Sequence, residues 1–155
     1  MAYLSDRLFE KVKNVAKSVK EELRLKGIVL PHQEPDGTYS FDGICVKKDS
    51  TGFYKITDKS GKLIVDNINL PQTAALIANG LALGKLLDTS LLNTDANYGY
   101  KLFDYDVYKH AAERNRKKDV DKFIYYDTRC KIANAQRKQY KEAILKQFEK
   151  LRRLR

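Results

Sequence analysis

Tryptophan is absent from this chain of 155 residues, and cysteine and histidine occur only twice each. Cys45 and Cys130 stand 85 positions apart with no second cysteine beside either, which leaves no CxxC pair for redox chemistry or a thiolate metal site. They read as ordinary reduced thiols, as expected of a protein in the cytoplasm. His32 and His110 fall in no spacing that joins them to Cys, Ser or Asp as a nucleophile or metal arrangement. His32, between Pro31 and Gln33, reads as a loop residue, and His110 as a helix-surface or packing residue. Long apolar runs are missing too. The opening stretch MAYLSDRLFEKVK has no uninterrupted apolar segment, and the longest apolar window, Leu70 to Leu87, is broken by Gln72, Thr73, Asn79 and Lys85. Neither a signal peptide nor a membrane span is expected. A glycine-rich phosphate loop is also wanting, because Ser60-Gly61-Lys62 lacks both the upstream glycine and the following Ser or Thr.

What is present describes a folded protein. The apolar fraction is 43% and the charged fraction 32%, the latter above the usual quarter. A chain of this length buries roughly two-thirds of its unfolded surface, so a core can form without disulfides or metals. The net charge of +10 is placed unevenly: residues 1–108 carry 14 Lys/Arg against 14 Asp/Glu, and residues 109–155 carry 16 against 6. All the excess therefore sits in the last third, which points to an anionic partner, whether nucleic acid, an acidic protein face or a membrane surface; no membrane partner is expected, because the apolar face of the basic helix is broken by Tyr, Ala and Gln.

Hydrophobic spacing divides the chain. Ser5, followed by Leu8, Val12, Val15, Val19 and Leu23 and stopped by Gly27, predicts an amphipathic helix over 5–26. Pro31, Pro35 and Asp36-Gly37 make a turn-rich connection. The runs YSFDGICVK, GFYKIT and KLIVDNI, separated by KDSTG and DKSG, predict a three-stranded antiparallel meander. Pro71 then opens a helix rich in Ala and Leu, expected to be buried, in which Gly80 and Gly84 read as points of close packing. Asp88 and Thr89 read as its end, Asn97 to Gly99 as a turn, and Asp104 as the cap of another helix. From Asp119 the spacing stays helical to Arg155 without Gly or Pro. Such a helix is about 50 Å long at 1.5 Å per residue, against a radius of gyration of about 15 Å for a compact domain. It must project, or fold back at a break near Lys117–Asp119. The expected fold is α+β and mostly helical, one structural domain with a core over 1–108 and a basic helical extension over 109–155.

A calcium loop read from Asp95 places Tyr100 where glycine is required and Asp106 where a bidentate glutamate belongs, so caps and turns explain Asp95, Asp104 and Asp106 better than a metal does. No cofactor, metal site or catalytic constellation is expected. The strongest functional signal is the basic last third: Arg114, Arg116, Lys117, Lys118, Lys122, Arg129, Arg137 and Lys138, interleaved with Tyr125 and Tyr126. Cations for phosphates and aromatic faces for bases suit sequence-independent binding of DNA or RNA. The same residues also suit a solvated helix face whose tyrosines belong to the core.

The stretches GFYKITDKSGKLIVDNINLPQTAALIANGLALGKLLD and NYGYKLFDYDVYKH resemble, across about residues 52–140, a group of small uncharacterised proteins of tailed marine phages of the cyanophage type. The resemblance implies a phage origin and carries no active site. It favours a non-catalytic virion or assembly component that binds other protein subunits, its own copies included, in the host cytoplasm or within a virion. A DNA- or RNA-binding accessory protein is the alternative.

Overall fold

The structure, a computed structural model, describes residues 17–154. Residues 17–25 form helix α1, and its expected beginning at Ser5, with Leu8, Val12 and Val15, lies outside the described residues. Gly27, at φ 85°, ends α1: the Ile28 amide donates to the Leu23 carbonyl at 2.9 Å and the Gly27 amide to that of Arg24 at 3.0 Å. This left-handed stop favours a residue without Cβ. The buried pair Ile28 and Val29 follows, held by Asn79, whose Oδ1 accepts from the Val29 amide at 2.7 Å while its Nδ2 donates to the Gly27 carbonyl at 2.9 Å.

Five strands, β1 (His32–Gln33), β2 (Tyr39–Phe41), β3 (Ile44–Lys48), β4 (Tyr54–Thr57) and β5 (Leu63–Ile68), form one antiparallel sheet in chain order. The three-stranded expectation is corrected at Asp42-Gly43. Both residues are left-handed, at φ 51° and 95°, as a two-residue hairpin turn of type I′ requires, and Phe41 pairs with Ile44 across it. The run read as one strand is thus folded into β2 and β3, and the short β1 adds the fifth. The other three turns share one recipe, over residues 34–38, 49–53 and 58–62. In each the first amide donates to the fifth residue's carbonyl, at 2.7, 2.8 and 2.9 Å, and the fourth residue is a left-handed glycine, Gly37, Gly52 or Gly61. The Asp49 and Asp58 carboxylates accept from the amides two and four positions on.

Helix α2 (Pro71–Ala82) lies across the sheet and presents Thr73, Ala74, Ile77 and Ala78, all buried, in a core with Phe41, Val46, Ile56 and Ile68. Its glycines act otherwise than expected. Gly84 is outside the helix at φ 81°, as its C-terminal stop, with the Lys85 amide donating to the Gly80 carbonyl at 2.9 Å. A Cβ built on Gly80 would meet only the Lys85 side chain, at 4.0 Å. The close packing comes from the alanines instead.

Helix α3 (Thr89–Asn115) runs straight through the expected turn and cap. Asp88 starts it rather than ending α2, its carboxylate accepting from the Leu91 amide at 3.0 Å. Gly99 is a helical residue, and a Cβ there would stand 2.5 Å from Asn69 Nδ2, so the Asn69 side chain packs where only a glycine leaves it room. Asp104 is mid-helix, 3.9 Å from Lys101. One turn from Gly99, the buried Asp95 carboxylate accepts from the Asn69 and Leu70 amides at 2.8 and 3.0 Å and from the Thr73 hydroxyl at 2.8 Å. Leu70 is the N-cap of α2 and has no side-chain acceptor of its own. Asp95 therefore performs from α3 the work of a cap on α2.

The chain reverses over Arg116–Asp119 without glycine or proline, where the Lys118 and Asp119 amides donate to the Asn115 carbonyl at 3.1 and 3.0 Å. Asp119 then caps α4 (Val120–Arg153), accepting from the Lys122 amide at 3.1 Å. Of the two geometries open to the long helix, folding back at this break is the one adopted: α3 and α4 pack along one another as an antiparallel pair. Their seam alternates spacings of three and four, Phe123, Tyr126, Cys130, Ala133, Arg137, Tyr140 and Ile144 on α4, with Tyr98, Leu102, Tyr105 and Ala112 on α3. Ile144 is fully buried in the core beneath α2, so the C-terminal half of α4 belongs to the body. The first half of α4 and the second half of α3 form an arm whose buried seam is lined by small residues, Ala111, Ala112, Cys130 and Ala133.

Candidate interaction surface

The arm sorts the basic residues into two groups. Arg114, Arg116, Lys117, Lys118 and Lys122 meet at its tip, all exposed, because the turn carries the end of α3 and the start of α4. Among the described residues none of the five is in an ion pair, and the nearby Asp119 is occupied in capping. Unpaired, clustered cations of this kind form a local positive field.

Arg137 and Lys138 stand elsewhere, with Lys138 about 24 Å along α4 from Lys122. Arg137 is half-buried, its Nε donating to Asn134 Oδ1 at 2.7 Å and its guanidinium 5.1 Å from the Tyr105 ring. It is a packing residue of the seam. Arg129 lies over the Tyr125 ring at 5.3 Å. Tyr126 is half-buried, stacked on Tyr108 at 6.4 Å and met edge-on by Tyr125 at 5.3 Å. Of the two tyrosines expected to serve as base platforms, Tyr126 is enclosed in an aromatic cluster, whereas Tyr125 is 53% exposed with a cation over one face.

The feature that sequence reasoning missed lies on α3. Tyr100 and Phe103 are 69% and 68% exposed and Val107 is 45% exposed, at spacings of three and four that place them on one helix face. The seam residues Tyr98, Leu102, Tyr105 and Ala112 occupy the other face. Val120 and Ile124 add exposed apolar surface beside the tip. The signal was in the sequence, but a turn at Asn97–Gly99 and a cap at Asp104 would cut the stripe apart.

Burial, with the Asp127 charge second, pushes the Cys130 thiol up, so it is a poor nucleophile at neutral pH. Hydrogen bonds hold the turn carboxylates below the usual range: mainly from the Thr38 amide for Asp36, from the Thr51 hydroxyl for Asp49 and from the Ser60 hydroxyl for Asp58. Among the described residues no group of three or more His, Cys, Asp or Glu side chains is placed to hold a metal ion, and no helix is long and apolar enough to cross a membrane. No family model, curated protein or solved structure matches the chain.

Proposed function

We propose that this is a non-catalytic structural or assembly protein that docks onto neighbouring protein subunits through the outward face of its helical arm. The observation that carries the reading is the stripe of Tyr100, Phe103 and Val107. Aromatic side chains exposed together on a helix whose opposite face is already packed are characteristic of contact surfaces, since each contributes roughly 1.5–3 kcal/mol when fully buried. The arm is stiff, because the α3–α4 seam holds it along its length. The resemblance to phage proteins makes virion neighbours, and further copies of this chain, the first partners to test.

Light scattering over a concentration series tests it. The wild type should self-associate or co-assemble, and Phe103→Glu should weaken the association at least tenfold while leaving the circular dichroism spectrum unchanged. A wild type that stays monomeric and partnerless at high concentration counts against the reading.

A second reading rests on a separate observation, the five free cations at the tip. Sequence-independent nucleic-acid binding there predicts a log–log salt slope near −4.5 on duplex DNA if about five phosphates are neutralised. Replacing Arg114, Arg116, Lys117 and Lys118 together with Gln should flatten that slope; an unchanged affinity removes the tip from consideration. The protein-docking reading stands first because Tyr126 is enclosed within the arm, which leaves Tyr125 alone as an exposed base platform beside the tip.

A further inference from the structure

Helix α3 carries contact residues in two rows on opposite sides. The inner row, Tyr98, Leu102, Tyr105 and Ala112, is filled by α4. The outer row runs further than its apolar part. Tyr100, Phe103 and Val107 are followed by His110, whose side chain is 70% exposed, and by the exposed Arg114. Successive members of this row are three, four, three and four positions apart, the alternation by which one helix packs along another, here sustained over two heptads. All five are exposed, so among the described residues no element fills the row.

The distribution of chemistry along the row specifies its partner. It is aromatic at one end and cationic at the other, and so matches itself when reversed. Residues 100–107 carry Asp104 and Asp106 against Lys101, whereas residues 109–118 carry Lys109, Arg114, Arg116, Lys117 and Lys118 against Glu113. Two copies laid antiparallel, crossing between Val107 and His110, bring Arg114 of each to Phe103 of the other and Lys117 to Tyr100, cation against aromatic face. The acid-bearing half of each row then lies along the cation-bearing half of the other. A parallel pair is opposed by the same charges, because it sets Arg114 on Arg114 and gathers the five free cations of both tips. Reversal puts the level of one tip, at Lys117, beside Tyr100 of the other copy, so the two tips stand about 25 Å apart at 1.5 Å per residue. That is roughly three Debye lengths at physiological salt, and their repulsion is largely screened.

We propose that the outer row of α3 is a self-recognition surface that pairs antiparallel with the same row of a second copy about a two-fold axis. This rests on the docking reading and names its occupant. The contact is isologous, so it closes at two copies instead of growing. A single helix face over residues 100–114 is about 21 Å long, a small interface that belongs to the weak, roughly micromolar class.

The test has two parts, both on the full chain. Sedimentation equilibrium over about 10–500 µM should show a mass that rises from one copy and stops at two. In a Cys45→Ser background, with Cys130 buried in the arm, Phe103→Cys and Arg114→Cys proteins of distinguishable mass are then mixed and oxidised. Both positions are exposed, so neither change touches the core. Antiparallel pairing sets position 103 beside position 114 of the other copy and keeps each 103 about 16 Å from its own equivalent, beyond the span of a disulfide. The mixed disulfide should exceed either symmetrical one by about tenfold. Dominant symmetrical disulfides mean parallel pairing, a statistical mixture means no fixed register, and a mass that climbs past two copies means an open contact; each overturns the proposal. A chain that stays monomeric while Phe103→Glu still abolishes its binding to a different protein overturns self-pairing and leaves the docking reading standing. If Phe103→Glu alters no association at all, both fall.

Discussion

Replacing Asp95 with Ala should cost this fold more than any other single change to a charged residue. Its carboxylate, 2% exposed, accepts four hydrogen bonds: from the Asn69 amide at 2.8 Å, Asn69 Nδ2 at 3.2 Å, the Leu70 amide at 3.0 Å and the Thr73 hydroxyl at 2.8 Å. Leu70 and Thr73 are buried, at 6% and 0% exposed, so their donors have no water to turn to; those of Asn69 are only partly buried. Two stranded buried donors at about 1–3 kcal/mol each give an expected loss of about 2–6 kcal/mol. That is a large part of the 5–15 kcal/mol that holds a typical domain. Asp95→Asn keeps one acceptor oxygen but turns an amide NH2 toward donors, and should cost about 1–3 kcal/mol. Asp104→Ala removes only a 3.9 Å surface pair with Lys101 and should cost under about 0.5 kcal/mol. Urea unfolding of the three variants, at constant m-value, measures this order. If Asp95→Ala loses less than about 1 kcal/mol, or no more than Asp104→Ala, the argument that α3 caps α2 from outside is wrong.

The same junction supplies a second expectation. Gly99→Ala should destabilise although alanine is the better helix former by about 1 kcal/mol, because the new Cβ meets Asn69 at 2.5 Å; in an Asn69→Ala background the sign should reverse. The turn carboxylates predict a pH dependence. Asp36, Asp49 and Asp58 have folded pKa values below the ordinary 3.8, so their contribution is complete above that value and is lost as pH falls through the lower folded values. Thermal melts should show that loss below about pH 4, shrinking when Asp49 and Asp58 are replaced by Asn. Thiol accessibility gives a further check: iodoacetamide should alkylate the half-buried Cys45 well before Cys130, whose thiol is buried and raised in pKa, as mass spectrometry of partially labelled protein would read.

Much of the architecture could be read from residue spacing, and the failures have physical causes. The end of α1 at Gly27, the start of α2 at Pro71 and the start of α4 after Asp119 were legible because each rests on a local feature of the chain, a left-handed stop, a first-turn proline or an unbroken helical spacing. The sheet came out two strands short: Asp42-Gly43 is flanked by residues that continue an apolar run, so one turn signal was hidden inside a strand signal, and His32, read as a loop residue, begins the two-residue β1, too short to show a pattern. Asp95 and Gly99 misled because their roles are non-local: both serve Asn69 and Leu70, some 25 to 30 positions away, and no window along α3 contains that partner. The tip cluster was found as charge, yet its split from Arg137 and the engagement of Tyr126 depend on which helix face meets the other. The stripe at Tyr100, Phe103 and Val107 became visible only when α3 proved continuous.

Because the chain has no tryptophan, Phe103→Trp would install a sole reporter at the centre of that stripe. Its emission, recorded over a protein concentration series alongside light scattering, is the most direct test of docking through the arm. The account predicts a blue shift that follows the rise in mass, as the indole leaves water. Emission that stays solvent-exposed while the mass rises, or a mass that never rises with self or partner, would contradict it.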